Sequence, residues 1–151
     1  MAAAMLERIL MDIKTAMKAR DKDTVLALRL LHAEIKNVAI NEQREPSDDD
    51  VLTVLGRLVK QRQEAIEQFA HGGRDDLVAK ETFQLDLYRA YQPEQLSEDA
   101  IAALVDDAIA AAGASSKRDI GAVMKRLMPQ IKGRADGKTV NAIVSQKLSP
   151  S

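Results

Sequence analysis

The chain has 151 residues, 46% of them hydrophobic, with two Phe, two Tyr, no Trp and a net charge of −1. That length suits one domain or two small ones, and a composition rich in Ala, Leu, Lys, Glu and Asp favours helices throughout. The lack of cysteine excludes disulfides, thiolate metal sites and cysteine nucleophiles, and the near-neutral balance argues against a uniformly basic nucleic-acid binder.

The opening MAAAMLERILMDIKTAMKARDK predicts an amphipathic helix over about residues 3–20, because Leu6, Ile9, Leu10, Ile13 and Met17 recur on one stripe before the polar ARDKD turn. It has neither the apolar block nor the cleavage site of a signal peptide. No apolar run approaches the ~18 residues that span a bilayer, so a soluble, cytoplasmic protein without membrane contact is expected. A second helix starts with Thr24 as its cap and presents Val25, Leu28, Leu31, Ile35 and Val38, with Leu26 and Leu30 widening the face, until NEQREP ends it. Ser47 followed by Asp48, Asp49 and Asp50 reads as a cap and a solvated acidic first turn, both suited to the positive end of a helix dipole. A long third helix then runs to the HGGR turn at residues 71–74. A fourth occupies about Asp75 to Tyr91, where Gln92-Pro93 stops it.

Beyond YQPEQL three shorter helices follow, from Ser97 to Gly113, from Ser116 to Met128 and from Asp136 to Leu148. The expected fold is therefore all-α, with a four-helix N-terminal domain followed by a small three-helix C-terminal domain. The boundary is placed at residues 92–97, giving domains 1–93 and 94–151.

Two charges interrupt apolar stripes. Arg62 lies among Val51, Leu55, Leu58, Ala65, Ile66 and Phe69, while Glu81 lies on the stripe of Leu77, Tyr88 and Tyr91. Arg62 lies nine residues before the HGGR turn and Glu81 seven after it, roughly 10–14 Å along each helix, so an antiparallel hairpin lets them meet. A structural ion pair fixing the hairpin's register is expected, since a charge facing a core needs a partner; a ligand pocket is the alternative. His32 and His71 are too far apart for a metal set, and no nucleophile with a base is evident. No catalytic residue, metal or cofactor is assigned.

The C-terminal end differs in charge. Residues 115–151 hold eight cations against two acids, a local +6 on a body whose remaining 114 residues carry −7. Within it GRADGKT imitates a phosphate-binding loop, but Gly133 and Gly137 enclose one residue too few and no β-strand precedes them. Nucleotide binding is set aside. On the helix from 116 to 128, Ile120, Val123, Met124 and Leu127 make the core stripe, leaving Arg118, Gly121, Ala122 and Lys125 opposite: two cations flanking two nearly absent side chains. On the last helix Lys138, Asn141 and Ser145 turn outward. Exposed N–H groups at its start, beside Arg134 and Lys138, are expected to donate to a backbone phosphate. A solvated charged face with glycine turns is the other reading of the same residues.

The stretches VKQRQEAIEQFAHGGRDDLVAKE, YQPEQLSEDAI and DIGAVMKRLMPQIKGRADGKTVNAIV resemble YqeY-like proteins, the GatB/YqeY group, over nearly the whole chain. That group shares a domain with the tail of the glutamyl/aspartyl-tRNA amidotransferase B subunit. The resemblance implies the same four-plus-three helical plan and a tail that helps hold tRNA near its elbow, with the amide-transfer chemistry in domains not present here. By position, Lys125, Lys132, Arg134 and Lys138 match the tail's basic positions, and Gly121, Gly133, Gly137 and Asn141 match its backbone framework. The expectation is a monomeric, noncatalytic accessory binding tRNA or other structured RNA through the C-terminal domain. The alternatives are docking to an acidic partner, such as a tRNA amidotransferase or synthetase, or an accessory role in glutamine-dependent amidotransfer that needs other subunits.

Overall fold

Helical periodicity is realised along the chain in a computed structural model that describes residues 3–149; these residues are all-α, with seven α-helices and one 3₁₀ turn among them and no strand. The helices are α1 (Ala4–Lys18), α2 (Lys22–Asn41), α3 (Asp48–His71), α4 (Asp75–Arg89), α5 (Glu98–Ala112), α6 (Ile120–Ile131) and α7 (Gly137–Leu148). Two compact units contain them, Met1–Gln92 with α1 to α4 and Pro93–Ser151 with α5 to α7.

In the first unit the predicted stripes supply most of one core, although Met17, at the end of the α1 stripe, stays 51% exposed. Ile9 and Ile13 of α1, Leu28, Leu31 and Ile35 of α2, Val51, Val54, Leu55 and Leu58 of α3, and Leu85 and Tyr88 of α4 are buried together. The two tyrosines add polar ties. The Tyr88 hydroxyl donates to the carbonyl of Ala27 at 2.8 Å, satisfying a phenol that would otherwise be buried without a partner. Tyr91 donates to the Asp12 carboxylate, and the Arg8 guanidinium lies 4.7 Å from the Tyr91 ring centre.

Several local expectations change. Asp21, not Thr24, caps α2: its side chain accepts from the Thr24 N–H at 3.2 Å, and the Thr24 hydroxyl turns back to the same carboxylate at 2.6 Å. Leu26 and Leu30 do not widen the core face but stay 62% and 38% exposed. α2 carries more apolar rows than one bundle can cover.

The acidic start of α3 is not wholly solvated. Ser47 and Asp50 form a capping box, and Asp50 is buried. The Arg44 guanidinium donates to both its oxygens, at 2.5 and 2.7 Å, and the Ser47 N–H donates at 2.8 Å. The bonds from Arg44 hold the Asp50 carboxyl well below the usual carboxylate range, outweighing burial, which acts the other way.

The hairpin of α3 and α4 turns through Gly72 and Gly73, the latter at φ +70°, where a side chain would be strained. Across it Arg62 Nε lies 3.4 Å from Glu81 Oε2, as the interrupted stripes suggest, with both side chains largely buried. Gln84 also accepts from Arg62 Nε at 2.8 Å, and the Tyr88 ring lies beneath the guanidinium at 5.8 Å. Arg62→Met is expected to cost about 1–2 kcal/mol by leaving Glu81 half-buried without its cation, whereas Arg62→Met with Glu81→Leu should be close to neutral. Denaturant unfolding of the double-mutant cycle measures this; additive losses would show that the pair does not act as a unit.

The second unit is built without aromatics. Ile101, Val105 and Ala108, then Val123, Leu127 and Ile131, then Val140, Val144 and Leu148 supply one buried stripe per helix. Ser97 caps α5, accepting from Ala100 N–H at 3.1 Å, and Gly113 ends it at φ +63°. α6 runs three residues past its expected end at Met128, with Pro129 inside it. The cause is Ile131, whose burial holds the final turn helical although Pro129 can donate no backbone hydrogen bond.

Between Tyr91 and Ser97 the backbone is non-helical, and limited proteolysis is expected to cut within residues 91–98 before any helix. First cleavage inside α2 would contradict a domain boundary at this point.

Candidate nucleic-acid interface

The predicted face of α6 is present as a surface. Arg118, in the 3₁₀ turn Lys117–Asp119, and Gly121, Ala122 and Lys125 are all exposed, at the i, i+3, i+4, i+7 spacing of one helix side. Val123 and Leu127 are fully buried on the other side and fix which way the face points. The turn itself is held by Asp119, whose carboxylate accepts from the Ser115 and Ser116 N–H groups at 2.9 and 3.3 Å. Those bonds lower the Asp119 pKa, keeping an anion committed to the backbone.

Gly121 is not demanded by the fold. It lies in a helix at ordinary φ, and a Cβ added there would meet nothing within 4 Å. Such a glycine costs roughly 0.5–1 kcal/mol relative to alanine. Gly137 likewise has open space at the start of α7. Gly133 is different: at φ +75° it makes the turn that ends α6, so glycine serves the backbone there.

The loop from 132 to 136 is less available than expected. Arg134 Nε donates to the Glu94 carbonyl at 3.3 Å, the Arg134 carbonyl accepts from Leu96 N–H at 2.8 Å, and Gln95 Nε2 donates to the Gly133 carbonyl at 2.8 Å. Arg134 is therefore half-buried, while Lys132, Lys138 and Asn141 are exposed. The helix start of α7 is a poorer anion site than its cations suggest. Asp136 caps it, accepting from Lys138 N–H at 3.2 Å, so a phosphate would meet a carboxylate there. Lys147, the remaining cation of α7, is paired with Asp106 at 2.9 Å. The cationic surface thus centres on Arg118 and Lys125, with Lys132 and Lys138 beyond the end of α6.

A family model described as Yqey-like protein matches residues 6–148. The chain is similar to "Altered inheritance of mitochondria protein 41, mitochondrial" of Pyrenophora tritici-repentis, 34% identical over 86% of this chain and 72% of the relative. It is also similar to proteins of that name from Eremothecium gossypii, 42% identical over 53% of this chain and 44% of the relative, and Saccharomyces cerevisiae, 31% identical over 85% and 61%. The chain matches less than two thirds of the length of the latter two.

These names overturn the expectation of a cytoplasmic protein, because the relatives are named as mitochondrial. The physical reason is that a cysteine-free helical chain without a membrane-length run suits any aqueous compartment. With nearly all of its length matched, from residue 6 to residue 148, the chain belongs to the YqeY-like family.

Proposed function

We propose that this protein is a noncatalytic accessory that holds the phosphate backbone of tRNA or another structured RNA on its C-terminal unit. The observation that carries the reading is the exposed α6 face, in which Arg118 and Lys125 flank Gly121 and Ala122. Two cations about two helical turns apart can bridge neighbouring phosphates, and the small residues between them let the backbone approach closely. None of the four aromatic residues lies beyond Tyr91, so the second unit offers no aromatic ring on which a base can stack. Recognition then rests on shape and charge rather than base sequence, which suits a folded RNA.

The reading is tested by titrating the full chain with tRNA between about 50 and 200 mM salt. If Arg118, Lys125, Lys132 and Lys138 all reach phosphates, log affinity should fall against log salt with a slope of about 3 to 4. No binding at the lowest salt, or a slope near zero, would overturn it.

A further inference from the structure

The outer side of α2 carries a second apolar stripe that its own bundle leaves uncovered. Leu26, Leu30, Ala33, Asn37 and Ile40 succeed one another at intervals of four, three, four and three residues, the repeat of a coiled-coil seam. All five are exposed, Leu26 to 62% and Ile40 to 64%, whereas Leu28, Leu31 and Ile35 are fully buried on the core side. Lys22, Arg29 and Lys36, all exposed, run beside the seam at seven-residue intervals. At the N-terminal end the seam opens into a groove of about 580 Å³, where Met17, Val25 and Leu26 meet Arg20, Lys22 and Arg29, with no acid among the lining residues.

Three kinds of occupant can be compared. A membrane surface calls for a broad apolar arc, but this stripe is the narrow two-in-seven seam, with Asn37 and Ala33 in its middle. A second copy in antiparallel register would set the rows Lys22, Arg29 and Lys36 against each other. In parallel register the cations would face Ala27, Glu34 and Asn41, and Glu34 is already held by Arg57 at 2.5 Å. Apart from Glu34, the acids at this end of α2 are Asp21, which caps the helix, and the exposed Asp23. Charge complementarity therefore selects an acidic helix.

We propose that the outer face of α2 docks an amphipathic helix of another protein, one with aliphatic residues at heptad spacing and Asp or Glu along the flank that meets Lys22, Arg29 and Lys36. A large apolar side chain of that helix fills the Met17–Leu26 groove, the helix-in-groove mode of recognition. The surface is separate in sequence from the proposed RNA face, so either can fail without the other.

The probe is a synthetic helix of about three heptads, with Leu at the seam positions and Glu on both flanks, compared with its Lys-flanked counterpart. Fluorescence anisotropy with the full chain should give at least tenfold tighter binding of the Glu helix. Leu26→Asp with Leu30→Asp should weaken it at least tenfold with unchanged circular dichroism, since both positions are exposed. Arg29→Glu with Lys36→Glu should invert the preference toward the Lys helix, a result that a general loss of folding cannot produce. Equal affinity for the two helices, or no binding of either, would overturn the proposal. So would a dimer of the chain that Leu26→Asp and Leu30→Asp dissolve, or binding to anionic phosphatidylserine vesicles through those leucines without peptide binding.

Discussion

Replacing Arg118, Lys125 and Lys138 together by Gln should weaken tRNA binding by about a hundredfold near 0.1 M salt, and reduce the slope of log affinity against log salt by roughly two to three units. The magnitude follows from counterion release: each phosphate contact contributes about 0.7 to 0.9 to the slope, and each unit is a factor of ten between 1 M and 0.1 M salt. All three side chains are exposed and Gln is a comparable helix former, so helicity should be preserved. Arg134 is left in place because its Nε holds the Glu94 carbonyl, and its loss would loosen the loop as well as remove charge. The matching control is Lys18, Lys60 and Lys80 to Gln, an equal change of net charge on exposed residues of the first unit. An equal loss in the control would mean that only overall charge matters.

Asp50→Ala should be among the most damaging single polar substitutions, costing about 2–3 kcal/mol in denaturant unfolding. It removes the acceptor of the Arg44 fork and of Ser47 N–H, and opens the capping box at the start of the longest helix. The same residue sets a pH dependence. Because its folded-state pKa is depressed, its contribution is complete above the unfolded carboxylate value near 4 and is lost as pH falls below that value. The parent should therefore lose more stability between pH 5 and about pH 2 than Asp50→Asn, which has no carboxylate to protonate. Parallel acid lability of the two would place the acid-sensitive group elsewhere.

The parts of the fold that sequence conveys are those encoded within one helix. Ser47 and Ser97 stand directly before apolar periodicity and act as caps, and the stripe read on α6 places Val123 and Leu127 in the second core. Arg62 and Glu81 were legible because charges on apolar stripes need partners, but Gln84 and the Tyr88 face were not, since nothing local points to them. Asp21 and Thr24 are both capping residues three apart, and only backbone geometry separates them. The Arg44–Asp50 fork spans a loop, which periodicity does not describe. Leu26 and Leu30 look like core in one dimension; packing in three leaves them outside. On the basic surface, the outward face of α6 follows from spacing. The engagement of Arg134 and the capping of α7 by Asp136 depend on how the loop from 132 to 136 closes on residues 94 to 96.

Ultraviolet crosslinking of the protein in cells, with the bound RNA sequenced and the nucleotide-modified peptides mapped by mass spectrometry, identifies both the RNA that the protein holds and the residues that hold it. Enrichment of tRNA or another structured RNA, with adducts on peptides between Arg118 and Asn141, is the predicted result. RNA recovery no greater than from an uncrosslinked sample, or adducts confined to the first unit, would contradict it.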